Sequence, residues 1–205
     1  MDYSAYVPQI MAANPDFVVL TNYGTMQTAA VKQFAELGIS KKYPIVISKT
    51  HLITIKECGA AYHDNVVGAV TYYRKLQEKY AGTDVMVKAY EEKYGMPPSA
   101  DGECAYVATK ALFSAIEEAQ SVDDVPKVIS ILENTEYPTL KGAGRFRACD
   151  HVRQQSIVIV RGKGPKAEGW DVADVVTEVP YSETLQSCEN NKADVPYGGV
   201  KLPGK

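Results

Sequence analysis

An α/β fold built on a parallel-sheet lobe is the architecture this sequence predicts, and three observations carry the prediction. Two contiguous apolar runs, Val18-Val19-Leu20 and Ile45-Val46-Ile47, bracket one stretch of helical periodicity. Strand, helix of about twelve residues and strand make a βαβ unit, because parallel strands need a crossover that a helix can supply. Contiguous apolar character, rather than alternation, marks strands covered on both faces.

In chain order, Tyr6, Val7, Ile10 and Met11 fall at helical spacing and stop before Pro15, giving a short helix over 3–14 and then a strand at 17–21. Thr25 is the predicted N-cap of the next helix, whose apolar side is Met26, Ala29, Ala30, Phe34 and Leu37, with Gly38 as its stop. A second parallel strand at 45–47 follows Pro44. Beyond Ser48-Lys49-Thr50-His51, a brief helical stretch at 53–58 leads to a third strand over 66–73. Three helices come next: 84–94, closed by Gly95 and Pro97-Pro98; 101–119, with Ala105, Leu112, Ala115, Ile116 and Ala119 inward; and 122–133, opening with Ser121 and Asp124 at capping-box spacing. From Gly142 the chain turns β-like, with strands expected at 144–148, 156–161 and 172–179 and an extended tail over 189–205.

Composition narrows the function. The chain has 205 residues, 45% apolar and 23% charged, an ordinary balance for a packed domain. Its 22 Lys+Arg against 25 Asp+Glu form no basic stripe, so nucleic acid is not an expected partner. No segment approaches the roughly 20 apolar residues of a membrane span, and Met1-Asp2-Tyr3-Ser4 lacks the regions of a signal peptide. The four cysteines have no CxxC spacing, which argues against zinc. Cys58 and Cys104 read as core thiols. Cys149 and Cys188, both in polar contexts, are candidates for a bridge in an oxidising compartment.

Catalytic signals are weak. His51, His63 and His151 are far apart, and no HExxH, GxSxG, phosphate loop or dinucleotide fingerprint occurs, so no cofactor is expected. Asp150-His151 reads as a polar turn before an acid/base pair. An enzyme would need distant groups, such as His51, Asp101 and Cys104, to meet in one cleft.

Small-molecule binding has better candidates, because α/β proteins bind at the carboxyl ends of their parallel strands. Tyr23 stands at such an end and either grips a ligand or covers the sheet edge, while Thr25 and the first helical amides suit a carboxylate. Lys49, Thr50 and His51 occupy the equivalent end of the next strand; their alternative is a solvated turn with a helix cap. Tyr72 and Tyr73 end the third strand and should face opposite ways, leaving Tyr73 as a weaker ligand candidate.

Four stretches carry a family resemblance: DYSAYVPQIMAANPDFVVLTNYGTMQTAAVKQFAELGI, VMVKAYEEKYGMPPSADGECAYVATKALFSAIEEAQSVDDV, LKGAGRFRACDH and WDVADVVTEVPYSETLQSCEN. Together they resemble the second half of branched-chain amino-acid type substrate-binding proteins of ABC transporters, the periplasmic binding protein type I fold. The resemblance implies two α/β lobes that close on a small carboxylate, no catalysis, a membrane permease as indirect partner and a periplasmic or extracellular location. It places residues 1–73 and 143–188 in one lobe and the helices of 74–142 in the other, with the N-terminal half absent and 189–205 as a tail. A second chain carrying that half, or a homodimer, is then expected. Tyr23 matches the family's ligand-contacting tyrosine, and Asp101 falls near a further contact, with a plain N-cap as its alternative. The loop at 48–51 holds no carboxylate for a ligand ammonium, so organic acids and amides stand beside amino acids as expected ligands. The alternative is a non-transport ligand-sensing or structural module of a split protein.

Overall fold

In the computed structural model, which describes residues 1–80, 83–184 and 187–188, the chain runs α1 (Val7–Ala13), β1 (Val18–Leu20), α2 (Thr25–Glu36), α3 (Ile39–Lys42), β2 (Ile45–Ile47), α4 (Leu52–Cys58) and β3 (Val66–Val70). It continues with α5 (Thr83–Tyr94), α6 (Ala100–Ala119), α7 (Val125–Asn134), β4 (Tyr137–Thr139), β5 (Gly142–Phe146), β6 (Arg153–Gln154), β7 (Ile157–Gly162), β8 (Ala173–Val179) and α8 (Tyr181–Thr184). The larger sheet has the order β1-β2-β3-β7-β8. Its first three strands are parallel, with Val19 opposite Val46 and Val46 opposite Val67, whereas β7 and β8 are antiparallel additions. The smaller sheet is the antiparallel set β4-β5-β6.

The apolar runs account for the core. Ile45 and Ile47 are almost fully buried between α2 and α4, together with Ala30, Val31, Phe34 and Val66. A second cluster joins Leu52, Val70, Tyr73, Val158, Val160 and Ala173. Removing this much apolar surface from water, at about 25 cal/mol per Å², is what holds the two faces of the sheet covered.

Several elements differ from the sequence reading, for identifiable reasons. Gly24, at φ 59°, takes the N-cap of α2, so Thr25 is the first helical residue and caps nothing. That geometry suits glycine, which has no Cβ to clash at positive φ. The inward face of α2 is Gln27, Ala30, Val31 and Phe34, while Met26 and Leu37 are exposed. Likewise α6 buries Glu103, Val107, Ala111, Ala115 and Ala119 at strict fourth-residue spacing, leaving Ala105 and Leu112 outside. Ser99 caps α6 by accepting from the Gly102 N–H at 3.2 Å, so Asp101 is not the cap. Asp124 caps α7 through the Lys127 N–H, and Ser121 serves the turn before it. The third strand stops at Val70, and both Tyr72 and Tyr73 are buried. The segment expected as a strand at 144–148 falls in β5 of the smaller sheet, and the larger sheet resumes with β7. The tail at 189–205 lies outside the described residues.

Two covalent and ionic ties complete the frame. Cys149 and Cys188 form a disulfide with Cα atoms 5.8 Å apart. Glu103, with no exposed surface, receives both terminal nitrogens of Arg153 at 3.1 and 2.9 Å, tying α6 to β6. No helix among the described residues is long and apolar enough to cross a membrane.

Candidate functional site

The carboxyl ends of β1 and β2 carry the loops in question, and their positions follow from the sheet. The Thr50 N–H donates to the Ala69 carbonyl at 2.9 Å, extending the β2–β3 ladder past the end of β2. This holds Thr50 against Gly68, where a Cβ would stand 2.6 Å from the Thr50 methyl; only glycine leaves room for it. His51 then turns extended backbone into α4, its carbonyl accepting from Ile55.

Around His51 three elements converge. Its Nε2 is 3.2 Å from the Tyr23 hydroxyl, and the two rings meet edge to face with centroids 5.5 Å apart. Its Nδ1 is 3.2 Å from a carboxylate oxygen of Asp101 at the start of α6, close enough for charge attraction though not aligned as a hydrogen bond. Lys49 places its ammonium 5.4 Å from the Tyr23 ring centroid, a cation–π distance. Burial holds the His51 imidazole below its ordinary pKa; Asp101 opposes this and Lys49 adds to it. In the neutral tautomer that carries its proton on Nδ1, Nε2 accepts from the Tyr23 hydroxyl; in the other, Nε2 donates to it.

Exposure divides this set by what each member can offer. Tyr23 is 53% exposed and the Asp101 side chain 65%, so both present surface to a small molecule. Lys49 and Thr25 are exposed as well. His51 is buried behind Tyr23, acting as the floor of the site. Thr50 is buried with its hydroxyl unpartnered, beneath the loop rather than at its surface. Tyr73 leaves the candidate set: it is 2% exposed in the core, and its hydroxyl accepts the Ala173 N–H at 2.9 Å. Asp101 brings a carboxylate from α6 beside the 48–51 loop, so anionic and cationic groups both border these strand ends.

Cys104 does not join His51 and Asp101. Its sulfur contacts Thr71 and Arg153, and burial raises its pKa, which keeps a thiol rather than a nucleophilic thiolate. Among the described residues no group of His, Cys, Asp and Glu has metal-holding geometry. A cleft of about 370 Å³ lies elsewhere, between Tyr80, the β4–β5 hairpin and the end of β8, and includes Lys141. Burial brings the Lys141 amine down to about 8, but the amine is bonded to Ser156 and the cleft shares no residue with the strand-end loops.

One contributor escaped the sequence reading. Gln27, 1% exposed, donates its side-chain amide to the Asn22 carbonyl at 2.8 Å and the Lys49 carbonyl at 2.9 Å. The available signal was an amide in the middle of an otherwise apolar helix face.

A family model whose description is periplasmic binding protein matches residues 1–168. The chain belongs to the periplasmic binding protein family. An amino acid ABC transporter substrate-binding protein from Pseudomonas fluorescens superposes with a TM-score of 0.78 at 22% identity, over 87% of this chain and 48% of that one. A branched chain amino acid ABC transporter periplasmic ligand-binding protein from Burkholderia xenovorans gives 0.75 at 22%, over 89% and 48%. A solute binding protein of an ABC transporter from R. palustris, in complex with benzoate, gives 0.73 at 17%, over 87% and 47%. At these identities the likeness speaks to the fold, which is the type I-like α/β fold of periplasmic binding proteins. The chain spans about half the length of the structures it matches. No curated protein sequence matches it. Periplasmic binding proteins of this kind are substrate-binding proteins and not enzymes.

Proposed function

We propose that this periplasmic binding protein chain is a ligand-gripping portion of an ABC transporter solute receptor, binding a small organic acid, amide or amino acid without chemistry. The observation that carries the reading is the contact chain Tyr23–His51–Asp101, which brings two strand ends and the first turn of α6 to one point. Tyr23 offers a ring face for the apolar part of the ligand, Lys49 and the exposed start of α2 at Thr25 favour its carboxylate, and Asp101 is the acceptor for an amine where one is present. In this reading residues 1–73 and 143–188 serve one lobe and 74–142 the other. The sequence elements completing the second lobe come from further polypeptide or a second copy, and closure surrounds the ligand with donors from both sides. The receptor works outside the cytoplasmic membrane and delivers to a permease.

Titration calorimetry of the 205-residue protein with L-isoleucine and with benzoate tests this. For whichever of the two binds, Tyr23→Ala and His51→Ala should each weaken binding about tenfold, the value of one ring contact plus one hydrogen bond. Affinity unchanged from the wild type in both variants would place the ligand elsewhere.

A further inference from the structure

Gln27 is an anomaly on α2. Its neighbours on the buried face are Ala30, Val31 and Phe34, and a helix needs no amide there. Burying a primary amide is costly unless its donors are used. Both hydrogen bonds of the Gln27 Nε2 are made, and neither serves its own helix: one goes to the carbonyl of Asn22, the other to the carbonyl of Lys49. Asn22 immediately precedes Tyr23, and Lys49 lies two residues before His51. One side chain therefore bridges the loop after β1 and the loop after β2, directly behind the Tyr23–His51 contact.

We propose that Gln27 is a positioning residue that sets the separation of Tyr23 and His51 by clamping their two loops together. The proposal rests on the reading of Tyr23 and His51 as the ligand wall, and it deepens that reading by naming what fixes the wall's spacing. Neither loop has another described hydrogen bond to the other apart from the Tyr23–His51 contact itself and the Ser48 N–H to Leu20 carbonyl bond at the strand ends. Without the clamp, Tyr23 is free to swing from His51, and the imidazole, which also feels the charges of Asp101 and Lys49, gains water.

The test needs no ligand, so its failure is distinguishable from failure of the ligand site. Gln27→Met keeps length and removes both donors. In NMR spectra of the ligand-free protein, the Tyr23–His51 ring-to-ring NOE should be lost, and the His51 titration midpoint should rise as the ring is rehydrated. His63, buried elsewhere, is the internal control and should titrate as before. Should the methionine variant fail to fold, Gln27→Asn, one methylene shorter, withdraws the same amide from both carbonyls while remaining polar. An unchanged NOE and His51 midpoint would overturn the proposal, as would parallel shifts of His51 and His63, which would mark general loosening. If the NOE is lost but Tyr23→Ala leaves binding of L-isoleucine and benzoate unchanged, the clamp stands and the ligand assignment falls.

Discussion

Arg153→Ala should lower the unfolding free energy by about 3–5 kcal/mol, the usual cost of stripping one partner from a buried ion pair. Glu103 has no exposed surface, and Arg153 grips it through two parallel bonds of 3.1 and 2.9 Å while also reaching Gln155 and the Cys104 sulfur at 3.9 Å. Truncating the arginine leaves a carboxylate inside the protein without its hydrogen-bonding cation, with only the charge of Lys141 nearby to offset it. The pair itself adds little over an apolar substitute, because desolvating two charges offsets most of their attraction. Replacing both residues together, Glu103→Met with Arg153→Met, should therefore recover most of the loss. Urea denaturation of the wild type and the two variants checks both statements; a loss below about 1 kcal/mol in Arg153→Ala would mean that solvent reaches Glu103.

Acid should destabilise the protein through His63. The side chain is 1% exposed, and burial pushes its pKa from 6.5 down to about 4, with the nearby Gly59 backbone opposing only weakly because neither ring nitrogen makes a well-formed hydrogen bond. The folded form thus resists the proton that the unfolded chain accepts. Its contribution is fully present above pH 6.5 and declines as pH falls toward about 4, because the unfolded state binds more protons in that window. The integrated loss is roughly 3 kcal/mol. His63→Leu should flatten the stability profile between those limits, measured as urea midpoints at half-unit pH steps; an unchanged slope would assign the acid sensitivity to other groups.

The fold was largely legible because its strongest signals are local. Val18–Leu20 and Ile45–Ile47 became parallel strands, since contiguous branched residues suit a sheet covered on both faces. What could not be read were features decided by tertiary partners. The short strands β4 and β6 exist because β5 pairs with each of them, and Tyr137-Pro-Thr alone has no strand periodicity. Leu112 was expected inside by hydropathy, yet α6 turns its alanine row and Glu103 inward because Arg153 and α7 lie on that side. At the site, strand-end placement singled out Tyr23 and His51, and their 3.2 Å contact spans 28 residues of sequence. Tyr73 had the same placement by spacing, but the strand ended early and the Ala173 N–H captured its hydroxyl. Gln27 was invisible because its role depends on two carbonyls that only the folded loops bring within reach.

Amide chemical-shift mapping of the ligand site tests the central claim most directly. Isotope-labelled protein titrated with benzoate and, separately, with L-isoleucine should show its largest perturbations at residues 22–25, residues 49–51 and Asp101, the three segments that meet at His51. Perturbations confined to the cleft between Tyr80, Lys141 and Glu178, with the strand-end loops unmoved, would contradict the account.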